Sequence, residues 1–141
     1  MKRNAFFLMI MALATMGLLA FVATPQQGQK AGEPWDIPEE YKNMDNPYAD
    51  DASLDRLGRG NYARHCRSCH GRNGEGDGPM AAQLNTFPGD FTDSEWQKKY
   101  NDGEVYYMSI IGRDEMPNFE STIPDKEERW AIVNHIRSLE K

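Results

Sequence analysis

The chain is short of cysteine, short of histidine and without an alternating strand pattern, and each shortage narrows what it can be. It has two cysteines, Cys66 and Cys69, three residues apart. A disulfide closing so short a loop is no structural staple, and no other cysteine exists to complete a four-cysteine metal site. Only three histidines are present, which leaves few imidazoles for metal chemistry. No segment alternates apolar and polar residues as a half-buried strand does, so a sheet is not expected. No basic patch appears, which disfavours nucleic-acid binding. There are no internal repeats. With 141 residues the chain has room for one compact domain and an extension, not two ordinary domains. A domain this small buries a limited core and gains from a cofactor.

Charge is present, and it is unevenly placed. The net charge is −6, all acidic residues follow residue 30, and Lys2 and Arg3 precede an apolar stretch. Beyond residue 24 the charge is therefore −8, from −6 − 2. Such a surface keeps a domain soluble, and it can also steer it toward a basic partner.

The apolar stretch runs from Ala5 to Ala23. A helix of that length rises roughly 28 Å at 1.5 Å per residue, close to the ~30 Å hydrocarbon core of a bilayer. Signal-peptide cores are shorter, about 7–15 residues. Cutting after Ala23 leaves Phe21 at the minus-three position, and cutting after Ala20 leaves Leu18 there; neither fits a small-x-small site. The segment 1–24 therefore reads as an uncleaved membrane anchor, with a cleaved signal peptide as the alternative. In either case Lys2 and Arg3 hold the amino end in the cytoplasm and the remainder is exported, in a bacterium to the periplasmic side of the inner membrane. No cysteine follows the run, which excludes lipoprotein processing there.

Residues 25–51 are rich in proline, glycine, glutamine and acidic residues without helical or strand period, and read as a linker. Trp35, Ile37, Tyr41 and Tyr48 are unusual in a spacer, and either dock on the domain or a partner or ride on a mobile tether. From Ala52 the chain reads as helices and loops. A first helix is expected from Ser53 to about Cys66, capped by Ser53 or Asp51. Gly58 inside it costs about 1 kcal/mol relative to Ala, so a packing reason is expected. Residues 71–79 form a glycine-rich loop. Short helices are expected near residues 79–84 and after a Thr92–Glu95 capping box. Residues 101–103 read as a break, residues 104–111 as helix, and residues 112–124 as loop. A last helix spans about residues 125–140, with Ile132, Val133, Ile136 and Leu139 on one face.

The sequence C-x-x-C-H occurs once, as Cys66-Arg67-Ser68-Cys69-His70. Residues three apart on a helical turn point to the same side. Two thiols so placed can each bond one vinyl group of a porphyrin edge, and His70 can then give the iron a nitrogen ligand; the motif reads as c-type haem attachment. A zinc half-site would need two further ligands, and only His65 and His135 remain as imidazoles. A thioredoxin-type dithiol sits beside a βαβ pattern, which is missing.

The sixth iron position separates a carrier from a catalyst. The candidates are Met80, Met108, Met116, His65 and His135. Met80 follows His70 too closely to cross a ring, and Met108 lies in a helical apolar stretch where packing is the ordinary role. His65 leads into the attachment turn on the proximal side, and His135 reads as helix surface or packing. Met116 sits in an irregular loop with Pro117 behind it, 46 residues after His70, and is the favoured ligand.

With these pieces assembled, residues 52–141 resemble a class I, mitochondrial-type cytochrome c. The resemblance rests on LGRGNYARHCRSCHG, GEGDGP, DGEVYYMSIIGRDEMPNF and KEERWAIVNHIRSL. It implies an all-α fold around one covalent haem c, with the first and last helices paired. Gly58 and Tyr62 match the first-helix contact positions and Ile132 the aliphatic one, while His135 stands where an aromatic is common. It also implies that the carbonyl of Pro79 accepts the His70 ring N–H. The activity implied is single-electron transfer, not enzymatic turnover, between a quinol-oxidising complex and a terminal oxidase or reductase. The carrier would be either a tethered shuttle or a complex subunit. The rival is a peroxidase-like or ligand-binding haem protein with a labile sixth site.

Overall fold

The computed structural model describes residues 32–141. The expected anchor or signal over residues 1–24 lies outside the described residues, as does the start of the expected linker. Among the described residues no helix is long and apolar enough to cross a membrane, and no strand forms beyond one isolated bridge. Helices α1 (Glu39–Lys42), α2 (Asp55–His65), α3 (Arg67–His70), α4 (Ser94–Lys99), α5 (Asp102–Tyr106) and α6 (Lys126–Arg137) follow one another. Tight 3-10 turns stand at Ala52–Leu54 and Ala81–Gln83, and a π-helical turn at Tyr107–Ile111 continues α5.

Two helices carry the core. Asp51 caps the entry to α2: its carboxylate accepts from the Ser53 amide at 3.0 Å, satisfying a donor that the helix start leaves open. Asp125 does the same for α6 through the Glu127 amide at 2.8 Å. The two helices cross at Gly58. A Cβ there would overlap the Ala131 carbonyl and lie 3.2 Å from the Cβ of His135, so the packing reason expected for this glycine is a backbone-to-backbone approach. Beside the crossing, the Tyr62 and His135 rings meet edge-on at 4.8 Å. His135 thus fills the aromatic contact with an imidazole. Burial and the neighbouring Arg59 hold its pKa below the ordinary value, against the opposing pull of Asp55. Ile132, Val133 and Ile136 are buried beneath.

Two expected boundaries move for reasons of capping. The short helix after residue 92 is capped by Asp93, which accepts from the Glu95 amide at 2.9 Å, while the Thr92 hydroxyl is turned back onto Asp90. Residues 101–103 do not break the chain. Asn101 and Glu104 form a reciprocal capping box, and Asp102 and Gly103 are the first turn of α5. Gly103 is needed because a side chain would strike the carbonyls of Tyr41 and Met44.

The segment assigned as linker is packed on the domain. Ile37 is buried in the core, a contribution of about 2 kcal/mol for an aliphatic side chain. Tyr41 lies against Tyr106 and Tyr107, with ring centroids 6.3 and 4.8 Å away. Asn46 donates to Asp102 and Asn134, both at 2.8 Å, and Asn134 donates to the Tyr48 carbonyl at 2.7 Å. Asn101 donates to the Lys42 carbonyl at 2.6 Å. Residues 33–51 are therefore a strap laid along α5 and α6.

Candidate functional site

Helix α2 ends where the site begins. Cys66 is its C-terminal cap, and its carbonyl accepts from the amides of Cys69 at 3.2 Å and His70 at 3.0 Å. The single turn α3, with Cys66 as its cap, therefore gathers both cysteines and His70 on one tight helical turn. Gly71, at φ +83°, lets the chain leave it. The glycine-rich loop then folds back. The amide of Gly76 donates to the His70 carbonyl at 2.9 Å, that of Gly78 to Cys69 at 3.1 Å, and that of Met80 to Ser68 at 2.8 Å. Gly78 lies so close to the turn that a Cβ would overlap the Ser68 carbonyl. The Tyr62 hydroxyl donates to the Gly71 carbonyl at 2.9 Å, which ties α2 to the exit of the motif.

The chemistry of these side chains fits covalent haem. Neither cysteine is in a disulfide, and Cys66 is buried and Cys69 half-exposed. Burial pushes the Cys66 thiol, before it is joined to haem, up to about 12. Burial also drives His70 down to about 4, which keeps the imidazole neutral and its lone pair free for a metal. The His70 Nδ1 is buried without a hydrogen-bond partner, a polar atom whose partner the described residues do not supply. Among the described residues no three His, Cys, Asp or Glu side chains gather as a metal-binding group, which leaves the zinc reading without ligands.

The His70 ring is packed rather than hydrogen-bonded. The bond from its ring to the Pro79 carbonyl is not formed. Pro79 is held near the turn by its neighbours Gly78 and Met80, whose amides bond the motif's backbone carbonyls instead. The imidazole lies flat on Phe91, with ring centroids 4.6 Å apart and planes 18° from parallel. Phe91 is backed by Trp96 at 5.1 Å and fixed by its amide to the Gly74 carbonyl at 2.7 Å. Nothing in the sequence marks Phe91 as a neighbour of His70, because the contact depends on how the glycine loop folds.

The methionines separate by environment. Met80 is exposed and Met108 is buried in the core on the π-helical turn. Met116 is half-buried and closes a four-residue turn, its amide donating to the Arg113 carbonyl at 2.8 Å. Asp114 takes the left-handed conformation at φ +50°, and Gly112 enters the turn at φ +69°. Just beyond, Phe119 bonds the Ile110 carbonyl at 2.8 Å and its ring meets His65 at 5.8 Å. That contact joins the Met116 loop to the residue immediately before Cys66. His65 thus serves as packing for this loop, and His135 as packing for Tyr62.

The comparisons agree with this geometry. Residues 53–136 match the family described as cytochrome c oxidase, cbb3-type, subunit III. Among solved structures, the KustC0563 c-type cytochrome is similar at 29% identity and a TM-score of 0.51, over 60% of this chain and 98% of that one. No curated protein sequence matches the chain. The matched span contains the single C-x-x-C-H motif, both crossed helices and the Met116 loop. The chain belongs to the family of cbb3-type subunit III cytochrome c domains: it is a class I-like mono-haem cytochrome, with haem c bound covalently and a fold suited to electron transfer.

Proposed function

We propose that Cys66 and Cys69 hold the haem through thioethers, that His70 and Met116 are its axial ligands, and that the protein passes single electrons between respiratory complexes. Bound haem c supplies an iron that shuttles between ferrous and ferric by one electron. His70, neutral and stacked on Phe91, offers a fixed nitrogen donor. Met116 offers a soft, neutral sulfur, which favours ferrous iron and raises the potential. With both positions filled by protein, no site is left for substrate. The observation that carries this reading is the closed Arg113–Met116 turn, joined through Phe119 and His65 to the end of the attachment helix.

The donor on this reading is a quinol-oxidising complex and the acceptor a terminal oxidase or reductase; the matched family's description names one such oxidase. The segment 1–24 would anchor the domain to the bacterial inner membrane, with the haem domain on the periplasmic side. A potentiometric titration of the purified holoprotein tests the proposal. A one-electron curve, a sulfur-to-iron absorption band and no uptake of carbon monoxide by the ferrous protein are expected. Rapid carbon monoxide binding in the untreated protein would point to an open sixth site and a ligand-binding or peroxidase-like role.

A further inference from the structure

We propose that the strap holds the sixth-ligand loop in place: Trp35 and the carbonyls of Glu33 and Pro34 grip Arg113, and Arg113 positions the turn that presents Met116. This inference rests on the reading of Met116 as the axial ligand.

The geometry is specific. The Arg113 guanidinium lies over the Trp35 ring, 4.1 Å from its centroid. It donates through Nη1 to the Pro34 carbonyl at 2.8 Å and through Nη2 to the Glu33 carbonyl. Two backbone acceptors and one aromatic face thus use the planar fork of a single arginine, an arrangement that lysine cannot reproduce. Trp35 is itself seated edge-on against Tyr107, 6.3 Å away, the first residue of the π-helical turn that leads into the loop.

Next to Met116, the Glu115 carboxylate accepts from the Asn85 and Thr86 amides, each at 3.1 Å. Two residues of the 113–116 turn, Arg113 and Glu115, are therefore each anchored on a different segment of the chain. Within the turn, one backbone hydrogen bond and the Arg113–Asp114 ion pair at 3.8 Å act beside a left-handed Asp114. A left-handed conformation costs a residue with a side chain, though Asp accepts it more readily than most, so external anchors add to the turn's persistence.

Methionine sulfur is a weak iron ligand that an added base can displace, and displacement requires the turn to swing away. Loosening the anchor should therefore ease displacement before it affects the fold. The experiment is a titration of the full-length ferric holoprotein with imidazole, read from the sulfur-to-iron band, together with the midpoint potential. Arg113→Ala and Trp35→Ala should each raise the apparent imidazole affinity by about tenfold, the scale of a partly exposed cation–π contact together with a charge-assisted hydrogen bond. Both should lower the potential. Trp35→Phe keeps an aromatic face and should return both readings toward wild type.

Val133→Ala, a core truncation in α6, controls for general destabilisation and should leave imidazole affinity near wild type. Arg113→Lys retains the charge without the fork and should behave as Arg113→Ala; it also serves if the alanine variant does not mature. Unchanged imidazole affinity in Arg113→Ala and Arg113→Lys, with a band that Met116→Ala abolishes, would overturn the positioning role alone. A band that survives Met116→Ala would overturn the ligand reading and this inference with it. An effect of Val133→Ala as large as that of Arg113→Ala would reduce the strap to ordinary stability.

Discussion

Placing a methyl group at Gly58 should cost the protein stability, although the same change two residues later should add to it. Both glycines lie inside α2. Replacing an interior helical glycine by alanine gains about 1 kcal/mol of backbone propensity wherever there is room. At Gly60 there is room, since nothing lies within 4 Å of the added Cβ. At Gly58 the added atom overlaps the backbone carbonyl of Ala131 and sits 3.2 Å from His135 Cβ. No rotamer change relieves a clash with backbone, so α2 and α6 must separate, and overpacking of this kind costs roughly 1–3 kcal/mol. Taking the upper end, because the obstacle is rigid, leaves a net loss of about 2 kcal/mol after the propensity gain. That is on the order of thirtyfold in the folding equilibrium. Urea denaturation of the holoproteins, followed by far-ultraviolet circular dichroism and haem absorbance, should show Gly58→Ala less stable than wild type and Gly60→Ala more stable. A Gly58→Ala variant as stable as Gly60→Ala would refute the close crossing.

Other expectations follow from single sites. Haem should stay with the denatured chain on a gel and resist acidified acetone, and replacing Cys66 or Cys69 should abolish normal maturation. His135 contributes a pH dependence whose sign follows from its lowered pKa. Folding favours the neutral ring, so its contribution is full above the unfolded value of about 6.5 and is lost as pH falls below it. His135→Phe keeps the edge contact with Tyr62 and should flatten that part of the curve of denaturation midpoint against pH. Amino-terminal sequencing of the mature protein should find the chain uncut, whereas a start near Thr24 would indicate a cleaved signal peptide.

The helices were legible because their signals are local or periodic, while their pairing was implied by the family resemblance. Asp51 stands just before the first helix as a cap should, and the face of Ile132, Val133 and Ile136 repeats with the helical period. Gly58 stood out because glycine inside a helix has a cost that something must offset. The motif itself was legible because its chemistry requires a fixed spacing. The Asn101 box was missed because Asn-Asp-Gly is also good turn chemistry, and only the reach of Glu104 back to the Asn101 amide distinguishes a helix start from a break. The contact of Phe91 with His70 and the grip of Trp35 on Arg113 were not readable. They join residues 21 and 78 positions apart through loops that have no period, and depend on the final path of the chain. Trp35 was conspicuous as a large aromatic in a polar stretch, but its partner carried no signal.

The central claim is that Met116 completes the iron's coordination, and replacing it is the most direct test. In Met116→Ala holoprotein the haem remains attached, the sulfur-to-iron band should vanish, the ferric spectrum should move toward high spin and the potential should fall. Met108→Ala, which removes a buried core side chain, should lower stability and leave the band intact. If Met116→Ala retains an unchanged low-spin spectrum with its band, another methionine is the ligand, and the account built on the 112–117 loop is wrong.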